Sequence, residues 1–245
     1  MKKFLMLLFG LVSYLIFFVT FLYSIGFVGN LIVPKSIDSG ESGPSAILIN
    51  IVLLSIFAIQ HSVMARPVFK KWWTTIFSPV IERSIYVLLS SGALILLFWK
   101  WQPMTENVWN IEGALYISII QIIFWVGWVI VLISTFLISH FHLFGLLQVF
   151  ENFKNQRLSS PKFKNNLFYK VVRHPIMLGF IIAFWATPVM TYGHFLFATV
   201  TTIYIFIAVK YLEERDLLKA HGERYASYQK STPMIIPLMK FKNKS

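Results

Sequence analysis

The stretch FLMLLFGLVSYLIFFVTFLYSIGFVGNLIV, residues 4–33, contains no charged side chain. At 1.5 Å of rise per residue, about 20 apolar residues cross a hydrocarbon core of about 30 Å as a helix. The run exceeds the roughly 7–15 residues of a secretory signal's apolar centre, and no small-x-small cleavage site follows it. With Lys2-Lys3 ahead of it, the segment reads as a retained first span.

Five further apolar segments lie at 46–64, 85–99, 116–138, 176–187 and 195–212. The fifth is short and stops at Pro188, with Gly193 close by, so segments five and six read as a tight helical hairpin. Composition agrees: 57% of residues are hydrophobic and 13% charged, against about 25% charged in a soluble domain. The expected fold is all-α, a polytopic membrane protein with five to six transmembrane helices, the last two forming a hairpin. One integral-membrane domain is expected over 1–245, with its motifs in 141–237. The absence of cysteine excludes disulfides, thiolate nucleophiles, Cys-ligated zinc and iron–sulfur clusters.

Charge sets the orientation. With six crossings and the N-terminus in the cytoplasm, all 22 Lys and Arg residues except Lys35 and Lys100 fall inside. The net charge of +12 then belongs to one face and suits the lipid bilayer's anionic headgroups. These charges are dispersed among spans, which speaks against nucleic acid as a partner.

The same topology gathers four polar stretches on the cytoplasmic side. Gln60-His61 to Arg66 end segment two, and Phe144 to Gln148 follow segment four. Arg173-His174-Pro175 open segment five, and Glu213-Glu214 close segment six. Proline suits a helix's first turn, and the unpaired N–H groups there seat a carboxylate; interfacial anchoring by Arg and His is the plainer alternative. Acidic residues number only ten, so a pair abutting a span stands out, although a solvated helix end would look the same. Tyr225 and Tyr228 share a helical face and are either interfacial aromatics or, with Gly222, Pro233 and Pro237, a lid over the site. His61, His140, His142, His174 and His194 invite a haem or metal, but no HExxH-type spacing exists and His194 falls on the opposite side. No metal is expected. A transporter would need ionisable groups near the bilayer midplane, and the spans offer almost none.

Taken together, Arg173-His174-Pro175, then Glu213-Glu214, then Gly222-x-x-Tyr225-x-x-Tyr228 resemble the membrane-embedded methyltransferases related to isoprenylcysteine carboxyl methyltransferase and phospholipid methyltransferases. Met177 stands where that family often has an aromatic. Gln60 to Pro67 and Ile81 to Ser91 are similar to the NnrU-like branch. The stretches from Arg173 through Pro188 to His194, Glu213 to Leu217 and Pro233 to Pro237 look specifically like the methanethiol S-methyltransferases.

The resemblance implies methyl transfer from S-adenosylmethionine to methanethiol, a small volatile thiol, giving dimethyl sulfide and S-adenosylhomocysteine. It implies cofactor binding by Gln148, Tyr169, Arg173, His174, Pro175, Glu213, Glu214 and Tyr225. Independently, a sulfonium donor with its own carboxylate and amine needs a carboxylate, an anion seat and an aromatic wall, which these residue types supply. The thiol must lose its proton to become a nucleophile, and His61 or His174 is the expected catalytic base. The alternatives are another small thiol, an isoprenoid or a lipid as acceptor, or a non-enzymatic NnrU-like membrane protein of nitrogen-oxide metabolism.

Overall fold

A computed structural model describes residues 1–159 and 163–238. Lys162, Lys240, Lys242 and Lys244, which the topology assigns to the inside, lie outside the described residues. In chain order the elements are α1 (Lys2–Gly29), α2 (Ala46–Ala65), α3 (Pro67–Ile76), α4 (Glu82–Lys100), β1 (Asn107–Asn110), α5 (Ala114–Ile138), α6 (His140–Leu143), α7 (Leu146–Phe153), α8 (Phe168–Val171) and α9 (Pro175–Trp185). There follow β2 (Val189–Thr191), α10 (Tyr192–Ala208), a π-helical turn (Val209–Glu213), α11 (Glu214–His221) and α12 (Glu223–Ser231). Among the described residues, five helices are long and apolar enough to cross a membrane: α1, α2, α4, α5 and the continuous run Tyr192–His221. The expected fifth segment, α9, has 11 residues.

Contacts divide the chain into two compact units. The first comprises Met1–Asn110, His140–Pro161 and Val189–Thr201, and the second Ile111–Ser139, Lys162–Pro188 and Thr202–Ser245.

In the first unit α4 packs against both α1 and α2, and α7 against α1. Ser84, Ser90 and Ser91 are buried on α4, because small side chains let apolar helices approach closely where lipid gives no hydrophobic drive. Glu82 in the first turn of α4 and Lys100 in its last both suit the helix dipole. Hydroxyls inside α1 are satisfied locally: Ser13 donates to the Phe9 carbonyl at 2.8 Å and Thr20 to that of Ile16 at 2.7 Å. β1 and β2 form a two-stranded antiparallel pair with an irregularity between Asn107 and Trp109. This pair and α3 were not expected.

In the second unit α5 lies against α9 at a crossing of small residues. A Cβ on Gly127 would stand 2.8 Å from the Gly179 carbonyl oxygen, and one on Gly179 2.7 Å from that of Gly127. Further along, Trp128 meets Phe180 edge-on. Ile205 and Val209 pack with Met234 and Ile235, and Met177, Leu178 and Ile181 of α9 close over them. That contact is the hairpin expected of segments five and six.

A buried carboxylate hub as candidate active site

The site begins where α9 begins. A residue preceding proline is held out of the helical region, and His174 accordingly has φ −124° and ψ 66° before Pro175 at the helix start. Val172 is extended. This short stretch pairs with the chain's later segment: the Arg173 N–H donates to the Pro233 carbonyl at 2.9 Å and the His174 N–H to that of Met234 at 3.0 Å. Both side chains then turn toward α11.

Glu214, with its side chain 8% exposed, is the hub. Arg173 donates to it twice, Nε to Oε1 and Nη2 to Oε2, each at 2.9 Å. This two-point fork is the geometry for which guanidinium and carboxylate are matched. His174 Nε2 lies 2.6 Å from Oε1, the Tyr225 hydroxyl donates to Oε1 at 2.8 Å, and Gln229 Nε2 donates to Oε2. Arg173 spends Nη1 on the carbonyls of Gln229 and Thr232. A buried charge is tolerated when it is paired and its remaining lone pairs are filled, and here both conditions are met.

Glu213 differs. Its Oε2 stands 3.5 Å from His174 Nδ1, and its side chain is 44% exposed. Neighbours on a regular α-helix point about 100° apart and do not face one partner. The π-helical turn Val209–Glu213 ends immediately before Glu214, and at this widened turn consecutive carboxylates reach opposite nitrogens of one imidazole. Such turns recur at functional sites.

The electrostatics follow from this clamp. Burial works against the charged form of His174, but the Glu213 charge, its hydrogen bond and those of Glu214 outweigh it and raise the pKa to about 9. Two flanking carboxylates need two N–H donors, which only the imidazolium has. Burial, then the charges of Glu213 and Tyr228, push the Tyr169 phenol up, so Tyr169 lies within electrostatic reach of Glu213. The Tyr169 hydroxyl donates to the Ser134 carbonyl at 3.3 Å, and the Tyr228 hydroxyl donates to the Tyr169 carbonyl. Burial, followed by the charge of Glu214 and its hydrogen bond, raises the Tyr225 phenol. The Tyr228 phenol is pushed up to about 12, chiefly by burial.

At the start of α9 Pro175 has no amide N–H, and those of Met177 and Leu178 return to the His174 carbonyl. Residues 222–237 fold back against the cluster: Tyr225 is 2% and Ile235 0% exposed, and the Pro233 and Met234 carbonyls accept from the Arg173 and His174 N–H groups.

No protein-family model matches the sequence, and no solved structure matches it. Methanethiol S-methyltransferase 1 of Bradyrhizobium diazoefficiens is 52% identical to this chain over 96% of it and 83% of that protein. Methanethiol S-methyltransferase of Mycobacterium tuberculosis is 48% identical, over 97% and 98% respectively. That of Crocosphaera subtropica is 50% identical, over 95% and 92%. The chain belongs to the methanethiol S-methyltransferase family. It is a methyltransferase, and the non-enzymatic alternative falls away.

Within this methanethiol S-methyltransferase family member, the cluster of Tyr169, Arg173, His174, Pro175, Glu213, Glu214 and Tyr225 is built wholly inside the second unit. His61 and Gln148 belong to the first, where each has its own neighbours. The His61 ring stacks on Phe57, with the Tyr86 hydroxyl 3.0 Å from its nitrogens and Ser90 Oγ 3.4 Å from Nδ1. Gln148 donates to the His142 carbonyl at 3.0 Å, while its buried Oε1 has no hydrogen-bond partner among the described residues. Among the described residues no group of three or more His, Cys, Asp or Glu is arranged to hold a metal. Sequence reasoning missed Gln229, although its i, i+4 spacing from Tyr225 puts both on one face of α12.

Proposed function

We propose that this chain transfers a methyl group from S-adenosylmethionine to methanethiol, forming dimethyl sulfide and S-adenosylhomocysteine. The observation that carries it is the division of labour between Glu213 and Glu214. One carboxylate is buried and fully engaged; the other is half-exposed and held beside an imidazolium. The names of the relatives support the acceptor.

The residues present fit such a donor. Glu213 offers an accessible carboxylate for the donor's ammonium group or ribose hydroxyls. His174, held between its two carboxylates, anchors Glu213 through Nδ1 at 3.5 Å. Tyr169 supplies an aromatic wall. When bound, S-adenosylmethionine supplies an electron-poor methyl group on a sulfonium, which a thiolate sulfur displaces. The protein's contribution is alignment and exclusion of water, not covalent help. Arg173 and Tyr225 act through Glu214 as positioning residues. A histidine kept protonated at neutral pH cannot accept the thiol's proton, so we assign no base role to His174; His61 is the remaining candidate.

The basic asymmetry supports an inner-membrane protein with this cluster on the cytoplasmic side. Headspace gas chromatography of membranes given methanethiol and S-adenosylmethionine tests the function, with dimethyl sulfide as the expected product. No dimethyl sulfide despite donor binding by calorimetry would reject methanethiol as acceptor, and no donor binding would reject the cofactor.

A further inference from the structure

Helix α3 joins two spans of the first unit and carries apolar side chains on two adjacent faces. The inner face is Phe69 and Trp73, which pack on the buried cluster of Met64, Tyr86 and Val87. The outer face is Val68, Trp72 and Ile76, spaced four apart and 81%, 53% and 59% exposed. At about 100° per residue, Lys70, Lys71, Thr74 and Thr75 occupy the remaining arc. Between positions 66 and 83 the bases Arg66, Lys70, Lys71 and Arg83 meet a single acid, Glu82. Indole rings beside ammonium groups, on a helix whose apolar stripe is left uncovered, are the composition of the layer where acyl chains end and phosphates begin.

We propose that α3 lies in the plane of the bilayer surface, with Val68, Trp72 and Ile76 in the acyl boundary, and that Lys70 and Lys71 select anionic phospholipid headgroups. The uncovered stripe requires an apolar occupant and its basic border an acidic one, and an anionic phospholipid is both. Because Phe69 and Trp73 rest on the cluster that contains Tyr86, whose hydroxyl lies 3.0 Å from the His61 ring nitrogens, the lipid sits one packed layer from that cluster.

The test places wild type and Trp72→Phe in nanodiscs of phosphatidylcholine containing acyl-brominated phosphatidylcholine or acyl-brominated phosphatidylglycerol at equal mole fraction. The difference between the two proteins isolates the Trp72 fluorescence. Phosphatidylglycerol should quench it more strongly, with about a fivefold preference per lysine that weakens as salt is added. Lys70→Gln/Lys71→Gln should erase the preference and Lys70→Arg/Lys71→Arg should keep it. Equal quenching of wild type by both lipids, at every salt concentration, overturns headgroup selection. No quenching by either shows the stripe covered by protein, such as a second copy, and overturns the proposal entirely.

Discussion

Replacing each member of the Glu213-Glu214 pair by glutamine separates stability from ligand binding. Glu214→Gln keeps the shape but removes the charge facing Arg173 and His174, whose side chains are 10% and 5% exposed. It also turns an N–H₂ group toward donors that need an acceptor. Breaking a buried pair in this way costs about 3–5 kcal/mol, a large part of the roughly 5–15 kcal/mol that holds a typical domain together. Glu213→Gln acts on a side chain that is 44% exposed and leaves His174 its Glu214 partner, so the stability loss should be smaller than in Glu214→Gln. Its effect belongs in donor binding: losing one charge-assisted hydrogen bond of about 1.5–3 kcal/mol lowers affinity roughly ten- to a hundredfold. Denaturant unfolding in detergent and calorimetry with S-adenosylmethionine measure the two quantities on the same samples. Equal stability losses in both variants, or unchanged affinity in Glu213→Gln, would refute the assignment.

His174 has a folded pKa of about 9, above the ordinary value near 6.5. Its stabilisation is therefore complete below about pH 6.5 and is lost as pH rises through about 9; unfolding midpoints over that window should fall in wild type and stay flatter in His174→Gln. Gly179→Ala would push a Cβ to 2.7 Å from the Gly127 carbonyl oxygen, so an overpacking loss of about 1–3 kcal/mol is expected from the same unfolding measurement. His61→Ala should reduce dimethyl sulfide output more than it reduces donor affinity; equal output from the variant would remove His61 from the mechanism.

The spans were legible because an uncharged run of bilayer length has few other uses: segment two, expected at 46–64, is Ala46–Ala65 in the structure. That Arg173-His174 and Glu213-Glu214 belong to one cluster was legible from scarcity, since acids are few in this chain; that they pair directly with each other was not. Which glutamate is buried was not. That choice depends on the extra residue in the π-helical turn, and sequence periodicity assumes a uniform helix. Helix α3 was missed for a related reason: ten residues with Pro67 at the start fall below the length at which a periodic pattern announces itself. The strand pair rests on three pairings between distant segments, too few to leave a pattern in either.

The backbone bonds from Arg173 and His174 to Pro233 and Met234 impose an order on biogenesis. Residues 233 and 234 are translated after the apolar helices described above, so those helices can enter the bilayer while the cluster around Glu214 is still open. Docking of this strap, rather than insertion, is the step that closes the cluster. Quality control that inspects only membrane integration would pass a chain whose cluster is still unformed.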